Sequence, residues 1–131
     1  MSPHLYIVFY RPCYGNYQHW ALQLESNKDG IIFKVVGQHP KFERNILEVR
    51  PERSGSFVRK LYVSMLSNSN IKRVKSAARQ VPVDNETSKW DCQDYVLEIL
   101  DRLQDDYILD ENNKDYQEAR KELRTKRGAI I

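Results

Sequence analysis

The chain has 131 residues, 40% of them hydrophobic and 30% charged, with a formal net charge of +3. That length suits one domain with a real core rather than two, and the composition excludes a disordered or fibrous chain. The charge excess is too mild to imply a dedicated nucleic-acid binder, and no apolar stretch is long enough to span a bilayer.

A single domain is expected over 1–131, sheet-rich over about 4–66 and helical over about 70–126. Leu5 to Tyr10 is rich in β-branched and aromatic residues and reads as a first strand. The N-terminal segment lacks a basic leader and a small-residue cleavage site, so it does not read as a signal peptide. A cytoplasmic, reducing location is the expectation, with Cys13 and Cys92 both free.

Arg11 to Asn16 is dense in turn formers, and Cys13 falls in that loop. Tyr17 to Glu25 alternates: Trp20, Leu22 and Leu24 share one face, and Tyr17, His19, Ala21 and Gln23 the other. Ser26 to Gly30 offers a hairpin loop with a glycine for positive φ. Ile31 to Val36 and Phe42 to Val49 read as further strands, separated by Gly37 to Pro40. The punctuation is that of a β-meander. Phe57 to Leu66 is ambiguous and leans to a strand through Leu61, Tyr62 and Val63.

The period then changes. Ile71, Val74, Ala77 and Ala78 recur at helical spacing over Asn70 to Gln80, and Pro82 ends the run. A polar linker from Asp84 to Lys89 supplies candidate N-caps. From Asp91 onward, Tyr95, Val96, Ile99, Leu100 and Leu103 trace one helical face with Cys92 at its edge. A last helix, about Asn112 to Lys126, is mostly charged; with Tyr116, Ala119 and Leu123 as its few anchors, it is expected to pack loosely or fray. The fold class that follows is α+β: a small antiparallel sheet packed against the helix that begins at Cys92.

Two phrases carry chemistry. Cys92, in Trp90-Asp91-Cys92-Gln93-Asp94-Tyr95-Val96, stands in the first turn of a helix, where backbone N–H groups favour a thiolate. His19, in Tyr17-Gln18-His19-Trp20-Ala21-Leu22, stands on a strand, where an imidazole can take a thiol proton. A lone cysteine is most often a small buried hydrophobe, and a strand histidine is commonly packing; the case rests on the pair. Cys13 has no helix start to activate it, and no metal spacing or phosphate loop is found, so neither a metal nor another cofactor is expected. Tyr6, Tyr10, Tyr14, Tyr17 and Tyr62 with Arg11, Arg59 and Lys60 could stack bases, which leaves a nucleic-acid module as a minor alternative.

The phrases His19-Trp20-Ala21-Leu22 and Asp91-Cys92-Gln93-Asp94-Tyr95-Val96, in that order, resemble the circularly permuted papain-like superfamily. That group includes the NlpC-like and lecithin–retinol acyltransferase-like enzymes, and the likeness is greatest to small fungal members. The resemblance implies a permuted papain-like sheet and a cysteine-dependent hydrolase or acyl transferase acting on an amide, isopeptide or ester bond of a small-molecule or peptide substrate. Cys92 would be the nucleophile and His19 the base; Asp91, Gln93, Trp20 and Trp90 would surround the nucleophile and the oxyanion. Relatives place a third polar residue on the next strand to hold the imidazole. Lys34 stands there instead, and a protonated lysine cannot accept the imidazole N–H. Gln38, His39, Gln23 or a backbone carbonyl could substitute, and a one-residue change of hairpin register would turn Lys34 outward. A binding or scaffold protein that kept the fold and lost turnover is the alternative.

Overall fold

Runs of β-branched and aromatic residues, cut by Gly, Pro and Asn, form five strands, and the later period of 3.6 forms three helices. The computed structural model describes residues 2–12, 18–26 and 29–128. In chain order they hold β1 (His4–Tyr10), β2 (His19–Ser26), β3 (Asp29–Val36), β4 (Glu43–Leu47), β5 (Phe57–Met65), α1 (Ile71–Gln80), α2 (Cys92–Asp105) and α3 (Lys114–Lys126). The architecture is α+β, one antiparallel sheet of five strands in the order β4-β3-β2-β1-β5. No helix among the described residues is long and apolar enough to cross a membrane.

The first four strands form the expected meander, with Ile7 opposite Leu22, Leu22 opposite Phe33, and Phe33 opposite Ile46. The fifth departs from it. Instead of extending the β4 edge, β5 returns to pair with β1 on the far side. The link between them, residues 48–56, must therefore cross the sheet, a lateral span of about 19 Å for four strand spacings. Nine residues reach that far without strain, since an extended chain covers roughly 3.3 Å per residue. This strap lies over the sheet face that carries Tyr10, Val8, Ala21 and Ile32. Phe57 packs on that group, Pro51 is buried, and the backbone N–H of Arg11 donates to Ser56 O at 2.8 Å.

The opposite face carries the main core. Leu5, Ile7 and Phe9 of β1, Trp20, Leu22 and Leu24 of β2, and Phe33 and Val35 of β3 are all buried there beneath the helices. α2 lies on β2 and β3, with Tyr95, Val96, Ile99, Leu100 and Leu103 fully buried. Tyr95 Oη donates to Ala78 O at 2.6 Å, which ties α2 to α1. The polar linker before α2 is anchored too: Asn85 accepts from Phe42 N–H at 2.7 Å and donates to Phe42 O at 3.1 Å, as a paired strand would.

α3 does not pack loosely. Tyr116, Ala119 and Leu123 are buried to 2% exposure or less against the β5 end of the sheet. Burial of a large apolar side chain contributes roughly 1.5–3 kcal/mol, so two such anchors suffice for a charged helix. Arg59–Glu122 and Arg120–Asp101 ion pairs border the contact.

The aromatic-basic surface is also split. Lys60 lies over the Tyr6 ring at 4.3 Å on the strap side, paired with Glu25, while Arg59 lies over Phe9 at 4.7 Å on the helix side. These two cations cannot serve one base-stacking platform. Cys13, Tyr14 and Tyr17 lie outside the described residues.

Candidate functional site

Cys92 is the first residue of α2 because Asp91 caps it. Asp91 is extended, and its Oδ1 accepts the N–H of Gln93 at 2.9 Å and of Asp94 at 3.4 Å. Asp94 Oδ2 returns the bond to Asp91 N–H at 2.9 Å, closing a capping box. This places the sulfur where β2 begins. The backbone N–H of Trp20 is near enough to the sulfur to favour its charged form, so the thiol sits near the peptide that links His19 to Trp20.

His19 and Cys92 line one cleft of about 1310 Å³, together with Asp91, Lys34, Tyr10 and parts of the strap. The His19 ring lies 5.5 Å from the Tyr10 ring, and Lys34 Nζ lies 5.4 Å from that same ring on the other strand. Lys34 therefore shares the face of His19 and does not turn away from the site.

The charge states differ from the thiolate–imidazolium pair that a helix N-terminus alone predicts. Cys92 is 8% exposed, and burial pushes its thiol up to about 12, helped by the Asp91 carboxylate. The Trp20 N–H and the Arg127 guanidinium act the other way without overcoming it. Burial pulls His19 down to about 4; the Lys34 ammonium adds to that fall and Asp91 opposes it. At neutral pH the cleft is lined by a protonated thiol and an uncharged imidazole. An imidazole so weakly basic takes no proton from this thiol at rest, so any transfer would have to accompany bond formation at the sulfur rather than precede it.

The residues suggested as orienting groups separate. Gln23 shares the His19 face but lies four residues along the strand, about 13 Å away, too far to hold the ring. Its Oε1 is buried and lacks a hydrogen-bond partner among the described residues. Gln38 and His39 line the cleft from the exposed turn after β3, and His39 acts on the Asp84 carboxylate. Asp91 is the carboxylate that acts on His19.

The neighbours of the sulfur also sort by geometry. Trp20 contributes its backbone, while its ring packs edge-on to Phe9 in the core. Trp90 donates to Glu98 at 2.8 Å and packs on Phe42 and Tyr95, forming a wall rather than a donor to the site. Gln93 is fully buried, and its side chain is engaged. It donates to Gln18 O at 2.8 Å and accepts from Gly128 N–H at 2.9 Å and from Arg127 at 2.7 Å. It is a latch between three distant segments and does not supply an oxyanion donor.

Two contributors escape a sequence reading. Arg127, in what looks like a solvated charged tail, reaches Asp91 at 3.4 Å and Asp94 at 2.5 Å. Tyr10 reads as a strand-edge tyrosine, yet it stacks on His19 with its hydroxyl held neutral, up to about 12, by burial first and by Glu52 second. No local spacing signals either one; only the pairing of β1 with β2 and the return of the tail bring them in.

A model for a family of unknown function, DUF6540, matches residues 5–110. The chain belongs to that family. The matched segment holds all five strands, α1 and α2, and with them Tyr10, His19, Lys34, Asp91 and Cys92. α3 and Arg127 lie beyond it, so the tail latch is added to the DUF6540 segment of this chain. No match to the chain was found among curated proteins or solved structures.

Proposed function

We propose that this protein is a cysteine-dependent hydrolase or acyl transferase that cleaves an amide, isopeptide or ester bond through an acyl-enzyme on Cys92. The observation that carries the reading is the seat of the sulfur near the His19–Trp20 peptide, in a cleft that His19 also lines. The sequence order of strand histidine before helix cysteine, as in permuted papain-like enzymes, supports it further. A free thiol nucleophile fits a reducing, cytoplasmic setting.

The chemistry follows from the groups present. As Cys92 Sγ attacks the carbonyl carbon, His19 takes the thiol proton and the carbonyl oxygen becomes the oxyanion. The Cys92 backbone N–H, at the helix start, is a donor for that oxygen. The Trp20 N–H stabilises the sulfur while it carries charge. Asp91 favours the imidazolium that forms. When the carbon–heteroatom bond breaks, His19 returns its proton to the leaving group; water or a second nucleophile then releases the acyl group by the reverse sequence.

A burst assay with an activated ester tests the proposal. The expected result is an acyl mass on the tryptic peptide that contains Cys92, with acylation at least a hundredfold slower in His19→Ala. No adduct on Cys92, or one formed equally fast without His19, would overturn it. The burial of the thiol favours a second reading, a binding protein without turnover, and the absence of an adduct is its expected outcome.

A further inference from the structure

Lys34 poses a problem for the chemistry just described. It stands beside the base, on the same sheet face, and its ammonium opposes the imidazolium that each half-reaction must form. An anion brought next to Lys34 would cancel that opposition when the base is needed. The cleft as a whole favours such a ligand: five lysines and arginines line it against two carboxylates, Glu48 and Asp91. Asp91 is moreover already engaged by its own helix start and by Arg127.

From this placement, and resting on the Cys92–His19 reading, we infer that Lys34 selects substrates that carry a carboxylate close to the reacting carbonyl. Lys34 is a single point charge, which a singly charged carboxylate balances one for one. The substrate then supplies part of its own catalysis. Its carboxylate holds the acyl group by Lys34 and, by neutralising that charge, makes His19 a stronger proton acceptor. Coupling of this kind is reciprocal, so protonation of His19 would in turn tighten the hold on the carboxylate. Lys34 is thus a specificity-determining residue that also tunes the base.

Two alkylating reagents of nearly the same size isolate the effect. Iodoacetate carries a carboxylate next to the reacting carbon, and iodoacetamide is its neutral counterpart. In both, the sulfur displaces iodide and the thiol proton is lost, so no turnover is required. The ratio of their rates at Cys92, read by peptide mapping and normalised to glutathione, is expected to favour iodoacetate by roughly five- to tenfold at low salt, and less at high salt. Lys34→Gln should bring the ratio down to the glutathione value and, by removing the charge that opposes the imidazolium, should raise the iodoacetamide rate several-fold, which also reports an intact site. Lys34→Arg should keep most of the preference. Lys121→Gln, an equal change of net charge on exposed α3, should not alter it. A ratio that ignores Lys34→Gln, or falls equally in Lys121→Gln, overturns the inference and leaves the nucleophile standing. Cys92 inert to both reagents in the folded protein would remove the nucleophile, and the inference with it.

Discussion

The two faces of the sheet are built for different ends. The helix face is a continuous apolar layer, Leu5, Ile7, Phe9, Trp20, Leu22, Leu24 and Phe33 under three helices, and the titratable group of the site that joins it is Cys92, at its margin. The strap face has a small apolar group, Val8, Tyr10, Ala21 and Ile32, covered by a single crossing segment. Beside it stand His19 and Lys34, and a buried Gln23 with one unsatisfied oxygen. Burial on the first face stabilises the fold. On the second it sets charge states, holding an imidazole neutral beside an ammonium. The sulfur lies where the two meet, at the start of a helix from the first face and against a strand that serves both.

Matched truncations should separate the faces most strongly. Leu22→Ala, beneath α2, is expected to cost about 3–5 kcal/mol, because packed helices cannot collapse into the void. Ile32→Ala, beneath the strap, should cost about 2–3 kcal/mol, since one segment can settle inward. Urea unfolding of both variants measures the difference, and equal losses would erase the distinction between the faces.

The second test is acid sensitivity. His19 is held near 4 in the fold against 6.5 when unfolded, so below 6.5 the unfolded chain binds the proton first. Its contribution is intact above pH 6.5 and is lost as pH falls toward 4, about 3 kcal/mol in all. Stability curves at pH 7 and pH 4.5 should diverge less in His19→Gln than in the wild type. An unchanged divergence would mean that His19 is solvated in the folded protein.

The smallest effect lies away from both faces. Tyr107, 94% exposed, takes φ of 60° at the end of α2, where Ile108 N–H donates to Leu103 O at 2.9 Å. Glycine suits that left-handed cap better than tyrosine, so Tyr107→Gly should stabilise by about 0.5 kcal/mol without changing alkylation of Cys92. A loss of stability would show that the exposed ring makes a compensating contact.

Much of the fold is written locally. Large apolar residues on the helix face alternate along β2 with smaller or polar ones on the strap face, and a packed stripe imposes the period of α2, so their boundaries and helix-facing residues are legible. β5 is not, because register shifts against β1 between Leu5 and Tyr6 and between Phe9 and Tyr10 break its alternation. Phe57 consequently points to the strap face and Arg59, two residues on, to the helix face. α3 misleads because three anchors among ten polar residues look weak until their burial is known. For the site, residue types and order are legible at His19 and Cys92. The protonation states are not, since they depend on how deeply the sulfur and the imidazole are enclosed. Nor is the latch, whose members Gln18, Gln93 and Arg127 span almost the whole chain.

That latch has a mechanical consequence. With one amide clamped to Gln18, Arg127 and Gly128, the helix start cannot slide or tilt relative to the adjoining strand unless all three attachments yield. The separation of sulfur and imidazole is thereby fixed by a buried brace, not by the surrounding loops. Damage to a remote stretch of chain would shift Cys92 against the strand that carries His19 while every cleft-lining side chain remained in place.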